Sequence, residues 1–327
     1  MTTRRLLLVA GAAAAIGLDA PATAQPREFP DRAVRIVVPN PPGGLSDTYS
    51  RLLAAQMSAR WSQPVVVENR PGGGGVIAAE HVARAAPDGH TLVMGTIATH
   101  ALTPVLFRNP PYDPAKDFVA VALVAEAEGV FAVHPAVPAR NMAELIAHMR
   151  ATSPTPALAT AGVGTAGHLG AELFKSLTGL DRAVVTHYRG AAPMLNDMLA
   201  GHIRIGIVTM QTAVPHVQNG GLRGLAVVGD QRSTALPDLP TVAQAGLPGF
   251  AVNNWIGLFA PAGTPPAVVA RINAEVVRTM QLPEVQQRLP RDGSRFWRTT
   301  PAEFAAFVAA QTAKWGPIAR AAGARID

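Results

Sequence analysis

The chain of 327 residues carries 28 basic and 22 acidic side chains, a formal charge of +6, and no cysteine. Without cysteine there are no disulfides, thiolate metal sites or cysteine nucleophiles, and thiol redox chemistry is excluded with them. All basic residues but Lys116, Lys175 and Lys314 are arginine, scattered rather than clustered, which argues against nucleic acid and only modestly for anionic ligands.

The N-terminus has Arg4 and Arg5, an apolar run over 6–18, and the small residues Ala22-Thr23-Ala24 ahead of Gln25. This order reads as a secretory signal over residues 1–24, with Gln25 as the mature start. The apolar run is well short of the roughly 20 residues that cross a bilayer as a helix, so the mature protein is expected to be soluble and periplasmic. Thr3-Arg4-Arg5-Leu6-Leu7 loosely fits a twin-arginine signal, and export by that route or by the ordinary secretory (Sec) route stays open. The remaining chain, about 300 residues, is longer than one hydrophobic core usually organises, so two domains are expected.

Short β-branched runs then alternate with helical patterns. They are 34–38, 65–67, 91–95, 118–125 and 130–134, followed by 157–161, 184–187, 203–208 and 222–228. The alternation predicts an α/β protein of parallel βαβ construction. Gly201 stands where a helix should stop, and Thr300-Pro301-Ala302-Glu303 is a capping box with proline at the first helical position. Phe304, Phe307 and Val308 follow at core-facing spacing, so a C-terminal helix is predicted.

Three strand ends carry the candidate chemistry. After the first strand, Pro39-Asn40-Pro41-Pro42-Gly43-Gly44-Leu45-Ser46-Asp47 runs into an amphipathic helix. Glycines let the backbone approach a ligand, and the unpaired N–H groups of a first helical turn suit a carboxylate or phosphate. Ser46 or Asp47 could instead cap the helix, and Asp47 would compete with an anion. Between a later strand and helix, Gly162-Val163-Gly164-Thr165-Ala166-Gly167-His168 formally matches a dinucleotide fingerprint. The next strand ends in Thr186-His187 rather than in an acid, so the stretch reads better as a second anion or hydroxyl clamp through Gly164, Thr165 and His168. At a third strand end, Thr96 and Thr99 present hydroxyls near a helix start, as caps or as ligand contacts. The run Gly72-Gly73-Gly74-Gly75 lacks a neighbouring GK[ST] and reads as tight packing.

No HExxH, GxSxG or close carboxylate pair at a loop end appears, and the nine histidines lack metal-ligand spacing. Anion-friendly helix starts without an acid, base or nucleophile set point to a binder with no metal and no cofactor.

From about Phe29 to the C-terminus the sequence resembles the substrate-binding receptors of tripartite tricarboxylate transporters, the Bug-type periplasmic proteins. The resemblance is carried by Val37-Val38-Pro39 with Pro41-Pro42-Gly43-Gly44 and Asp47, by Val66-Val67-Glu68-Asn69-Arg70-Pro71-Gly72, and by Pro87-Asp88-Gly89-His90-Thr91-Leu92. Tyr112-Asp113-Pro114, Tyr188-Arg189-Gly190, Leu236-Pro237-Asp238-Leu239-Pro240-Thr241 and Ala260-Pro261-Ala262-Gly263-Thr264-Pro265 extend it in order. It implies a two-domain type II periplasmic-binding fold, divided as 25–125 plus 256–327 against 126–255, with crossing strands and a ligand cleft between the lobes. It further implies a non-catalytic, monomeric receptor that passes a small carboxylate to transporter membrane subunits. Gly43, Gly44, Leu45, Ser46 and Asp47 would hold the carboxylate, and Thr96, Thr165, His168 and Tyr188 would line the cleft. Thr209 joins the candidates because Val208-Thr209-Met210-Gln211 stands where relatives often show Phe-Asp, which leaves the recognition of the ligand's far end open. A ligand sensor docking on a membrane kinase would share this pocket, and an enzyme on the same scaffold is a more distant alternative.

Overall fold

The computed structural model describes residues 28–252, 254–321 and 323. The expected export signal over 1–24 and the mature start at Gln25 lie outside the described residues. Strand β1 (Val34–Val38) leads into helix α1 (Leu45–Trp61), followed by β2 (Val65–Asn69), a 3₁₀ turn at Gly73–Gly75 and α2 (Val76–Ala83). Next come β3 (Thr91–Thr96), a π-helical segment (Ala98–Leu102), the short α3 (Thr103–Leu106) and β4 (Phe118–Ala127). A second run of alternating elements comprises β5 (Gly129–Val133), α4 (Met142–Ala151), β6 (Leu158–Thr160), α5 (Ala166–Thr178) and β7 (Val185–His187). It continues with α6 (Ala191–Leu199), β8 (Ile205–Thr209), α7 (Met210–Gln218) and β9 (Arg223–Val227). The chain then returns through β10 (Asn254–Pro261), α8 (Pro266–Met280), α9 (Pro283–Arg291), β11 (Ser294–Arg295) and α10 (Pro301–Ala321).

The strands form two sheets, ordered β11-β4-β10-β3-β1-β2 and β7-β6-β8-β5-β9. The interior of each repeats one plan, with the first strand central and the second outside it. Counting from β1 in one sheet and from β6 in the other, the third strand lies on the other side of the first, and beyond it runs an antiparallel strand, β10 in the first sheet and β5 in the second. Those antiparallel strands correct the expectation of parallel construction. β10 is antiparallel to β3 and β4, and β5 is antiparallel to β8 and β9, whereas β1 with β2 and β3, and β6 with β7 and β8, are parallel. Strand–helix alternation reports only how neighbouring elements connect, so a strand arriving from far along the chain leaves no local period.

The chain passes between the sheets at Glu128 and again over 228–252. Glu128 N–H donates to the Gly293 carbonyl (3.0 Å), and its own carbonyl accepts from Met210 N–H (2.9 Å). The single-residue crossing is thus pinned to both halves.

The period-2 alternation of a strand distributes the core. On one face of the first sheet Val34, Ile36, Leu92 and Met94 pack with Tyr49, Leu53 and Met57 of α1 and with Ile272 and Val276 of α8. On the other, Val37 and Val93 join a cluster that runs through Trp255, Phe259 and Phe304 to Phe131 of β5, Phe174 of α5 and Phe250. Gly95 and Gly257 pair directly across β3 and β10. A Cβ on Gly257 would lie 2.0 Å from Phe304 Cζ, and one on Gly95 would lie 2.4 Å from Phe259 Cε2, so the paired glycines leave room for the aromatic rings. The predicted C-terminal helix is α10, and its capping box forms: Thr300 N–H donates to Glu303 Oε2 (2.8 Å) and Glu303 N–H donates to Thr300 Oγ1 (3.2 Å).

Candidate ligand-binding site

The candidate residues gather at one end of each sheet. Because β1 and β3 are parallel, the loops after them, bearing Gly43–Asp47 and Thr96–Thr99, leave the first sheet on the same side. Parallel β6, β7 and β8 do the same for Gly164–His168, Tyr188 and Thr209. The two ends meet. A Cβ on Gly164 would lie 2.7 Å from Leu106 Cδ1 and 3.2 Å from Ala98 Cβ, and one on Gly190 would lie 3.8 Å from Pro41 Cγ.

At the first loop, Gly43 turns the chain with φ +90°, a conformation that side chains disfavour, and Gly44 is the N-cap in extended backbone (φ −84°, ψ 177°). No side chain caps α1. Among the described residues the N–H groups of Leu45, Ser46 and Asp47 have no acceptor, although all three residues are buried. A buried helix start with open donors is where an anion is stabilised. The two capping alternatives resolve otherwise: Ser46 Oγ donates to Asn40 Oδ1 (3.1 Å), and the Asp47 carboxylate turns back to accept from Gly43 N–H (3.0 Å). Asp47 also accepts from Asn69 Nδ2 (3.0 Å) and from Arg51 Nε (3.0 and 3.1 Å). Burial alone would raise the Asp47 carboxyl, but the hydrogen bonds from Arg51, Gly43 N–H and Asn69 outweigh it and hold the group below its ordinary range.

At the end of β3 the two threonines divide their roles. Thr99 is fully buried, and its hydroxyl is engaged with Thr96 N–H (2.9 Å) and His100 Nδ1 (2.8 Å). Its carbonyl accepts from Thr103 Oγ1 and Tyr112 OH, both at 2.8 Å, so Thr99 braces the π-helical segment. Thr96 is half-buried and its hydroxyl lies 3.3 Å from that of Thr99. The glycine run packs here as expected: a Cβ on Gly75 would lie 2.8 Å from Thr99 Cγ2 and 2.9 Å from Pro39 Cβ.

In the second lobe Thr165 caps α5, its hydroxyl accepting from His168 N–H (3.3 Å) and donating to the Gly162 carbonyl (2.7 Å). Gly164 N–H donates to His168 Nδ1 (3.0 Å). That bond fixes Nδ1 as the acceptor and leaves Nε2 as the protonated nitrogen. Burial, reinforced by His187 at a ring-centroid distance of 4.5 Å, lowers the His168 pKa to about 4, so the imidazole is neutral at neutral pH. Tyr188 OH donates to Asp197 Oδ2 (2.8 Å), and Thr209 Oγ1 lies 2.9 Å from Thr212 Oγ1 at the start of α7. Gly190 begins α6, again without a side-chain cap.

Several positions were not singled out from the sequence for a role at the site. Asn69 ties the loops together, because the register Val38↔Asn69 sets it beside the end of β1, where its amide donates to the Asn40 carbonyl (3.0 Å) as well as to Asp47. The Asp47–Arg51 spacing of four along a helix was a readable signal. His187, Ala98, Leu106 and Gly190 are brought near only by the sheet order. None of the candidate residues is a lysine or arginine, so the positive character of the site comes from backbone donors. Among the described residues no group of three or more His, Asp or Glu is arranged to hold a metal. Shallow hollows along α8 and α9, lined by Asn273, Arg278, Gln281 and Arg298, lie away from these loops.

Comparison with known proteins gives the arrangement its context. Residues 49–324 match the Tripartite tricarboxylate transporter family receptor. The chain belongs to this family. The receptor is 33% identical to Protein BugT of Bordetella pertussis over 328 aligned positions, covering 100% of both chains. It superposes on the R. palustris protein Rpa4515 with adipate at a TM-score of 0.86 and 34% identity, covering 91% of this chain and 100% of that one. With MatC from Rhodopseudomonas palustris, which has malate bound, the TM-score is 0.82 at 34% identity, covering 89% and 99%. The expected two-lobed periplasmic-binding fold is thereby shown, in a family of transport receptors rather than enzymes. Family members are periplasmic, and among the described residues no helix is long and apolar enough to cross a membrane.

Proposed function

We propose that the receptor captures a small dicarboxylic acid between its lobes and hands it to the membrane subunits of a tripartite tricarboxylate-type transporter. The observation that carries this reading is the start of α1, where the N–H groups of three buried residues have, among the described residues, neither a side-chain cap nor any other acceptor. A carboxylate supplies what those donors lack, and the partial positive charge at the helix terminus favours it. Leu45, Ser46 and Asp47 present the donors, and the Asp47 carboxylate holds the turn behind them. Thr96, Gly164, Thr165, His168, Tyr188 and Thr209 surround the rest of the molecule, with Thr99 bracing Thr96. The neutral His168 and the hydroxyls suit polar groups along the ligand, and the adipate and malate held by the two R. palustris relatives support a dicarboxylate. The lobes, taken as 25–125 with 256–327 and 126–255, close as one monomer around the ligand, with Glu128 and the 228–252 segment as the hinge.

The test is calorimetric titration of the mature protein with adipate, malate, succinate and citrate, set beside nucleotides and amino acids. Saturable one-to-one binding of at least one di- or tricarboxylate is expected, and thermal stabilisation with it. Binding of nucleotides or amino acids in place of every carboxylate would refute the reading.

A further inference from the structure

The start of α1 contains a contradiction that the protein must resolve. The turn that aims its open donors is held by Asp47, whose carboxylate accepts from Gly43 N–H at 3.0 Å. Asp47 is the third residue of the helix, so a ligand carboxylate on the Leu45 and Ser46 donors sits within about one helical turn, roughly 5.4 Å, of this buried anion. Two uncompensated carboxylates at that separation repel strongly enough to cancel what the donors offer.

The residues around Asp47 compensate its charge without removing its hydrogen bond. Arg51, one turn later on the same helix, lays its guanidinium along the carboxylate, with Nε 3.0 and 3.1 Å from the two oxygens and Nη2 2.9 Å from Oδ1. Asn69, at the end of the neighbouring strand, donates to Asp47 (3.0 Å) and to the Asn40 carbonyl (3.0 Å), and its own oxygen accepts from Arg51 Nη2 (3.1 Å). All the close partners of the carboxylate are therefore donors, from the turn, from α1 and from β2. The guanidinium approaches from the outside: the Arg51 side chain is 55% exposed and that of Asp47 is 5% exposed. The arginine therefore has no need to touch a ligand in the cleft.

We infer that Arg51, oriented by Asn69, is a positioning residue for ligand capture: it neutralises the Asp47 carboxylate, so that Asp47 can fix the Gly43 turn without repelling the ligand's own carboxylate. The inference rests on the carboxylate reading above. It assigns the site's anion selectivity to a balance of three residues behind the donors rather than to a cation facing the ligand.

Two readouts test it. In ligand-free protein, the Asp47 carboxyl carbon followed by ¹³C NMR should titrate at higher pH in Arg51→Met than in the wild type, because the guanidinium that depresses it is gone. An unchanged midpoint overturns the inference, whatever the protein binds. Titration with adipate and malate gives the second readout. Arg51→Met should bind more weakly by on the order of tenfold, Arg51→Lys should recover most of that loss, and Arg51→Met combined with Asp47→Asn should recover affinity by removing the charge that Arg51 balanced. If the double variant is as weak as Arg51→Met, or Arg51→Lys is as weak as Arg51→Met, Arg51 acts by shape and the inference is wrong. If the wild type binds no acid of the di- and tricarboxylate panel, the carboxylate reading falls, while the ligand-free titration still decides the role of Arg51.

Discussion

Replacing Gly44 by valine separates what the first loop does for binding from what it does for folding. Gly44 lies at φ −84° and ψ 177°, within the broad β region that valine favours, and a Cβ built on it has no other atom within 4 Å. The fold therefore accepts the side chain. Valine is a poorer N-cap than glycine, whereas the loss of glycine's freedom in the unfolded chain stabilises, and the two effects offset to within about 1 kcal/mol. For a chain of this size the melting temperature should move by no more than roughly 2–4 °C. Binding should respond very differently, since an N-cap side chain reaches toward the N–H groups of the second and third helical residues, here Ser46 and Asp47. Each hydrogen bond to a charged group contributes about 1.5–3 kcal/mol, so denying one of them weakens affinity by roughly one to two powers of ten. Gly43→Val is the contrasting control: at φ +90° the side chain is strained, and the melting temperature should fall clearly. Ser46→Ala removes only the bond to Asn40 and should cost less affinity than Gly44→Val. Calorimetric titration with a bound dicarboxylate, paired with thermal melts by circular dichroism, makes the comparison. A folded Gly44→Val protein with wild-type affinity would move the carboxylate to another loop, with Gly164 and Thr165 the next candidates.

Two further outcomes follow from buried charge. His168 has its pKa lowered from 6.5 to about 4 by burial, so the unfolded chain takes up a proton at this residue as pH falls below 6.5 while the native protein does not. The stability it contributes is complete above pH 6.5 and is lost as pH falls toward 4. The melting temperature of His168→Gln should thus decline less than that of the wild type between pH 7 and 4.5, and equal slopes would refute this. At the crossing between lobes, Arg295 pairs with the buried Glu126 (2.8 Å) and with the partly exposed Asp230 (3.1 Å). Asp230→Asn should cost no more than about 1 kcal/mol and shift the ligand-free receptor modestly toward an opener form in small-angle scattering. Arg295→Met strands Glu126 and should destabilise by about 3 kcal/mol or more. Equal losses from the two variants would contradict this division of roles.

Much of the fold was readable where a single element declares itself. The run at 34–38 coincides with β1, Gly201 follows the end of α6, and Thr300 with Glu303 form the expected box. The strand at 254–261 was not among the runs read, and its antiparallel place between β3 and β4 is a long-range pairing that local periodicity does not encode. The site shows the same division. Glycines before a helix at Gly43 and Gly44 mark a backbone-donor loop in any α/β chain. Whether Asp47 faces the ligand or the turn depends on Asn69, which reaches it only through the pairing of β1 with β2. Thr99 read as a candidate contact because its hydroxyl sits near a helix start. Its commitment to His100 and to Thr96 N–H became visible only with the π-helical segment formed.

The central claim is that a carboxylate rests on the first turn of α1, and amide NMR of the mature receptor titrated with adipate and malate addresses it most directly. The N–H resonances of Leu45, Ser46 and Asp47 are expected to move downfield together, saturating at the same ligand concentration as the calorimetric isotherm, as their open donors gain an acceptor. Saturable binding that leaves these three amides unmoved while others shift would contradict the account and place the carboxylate elsewhere.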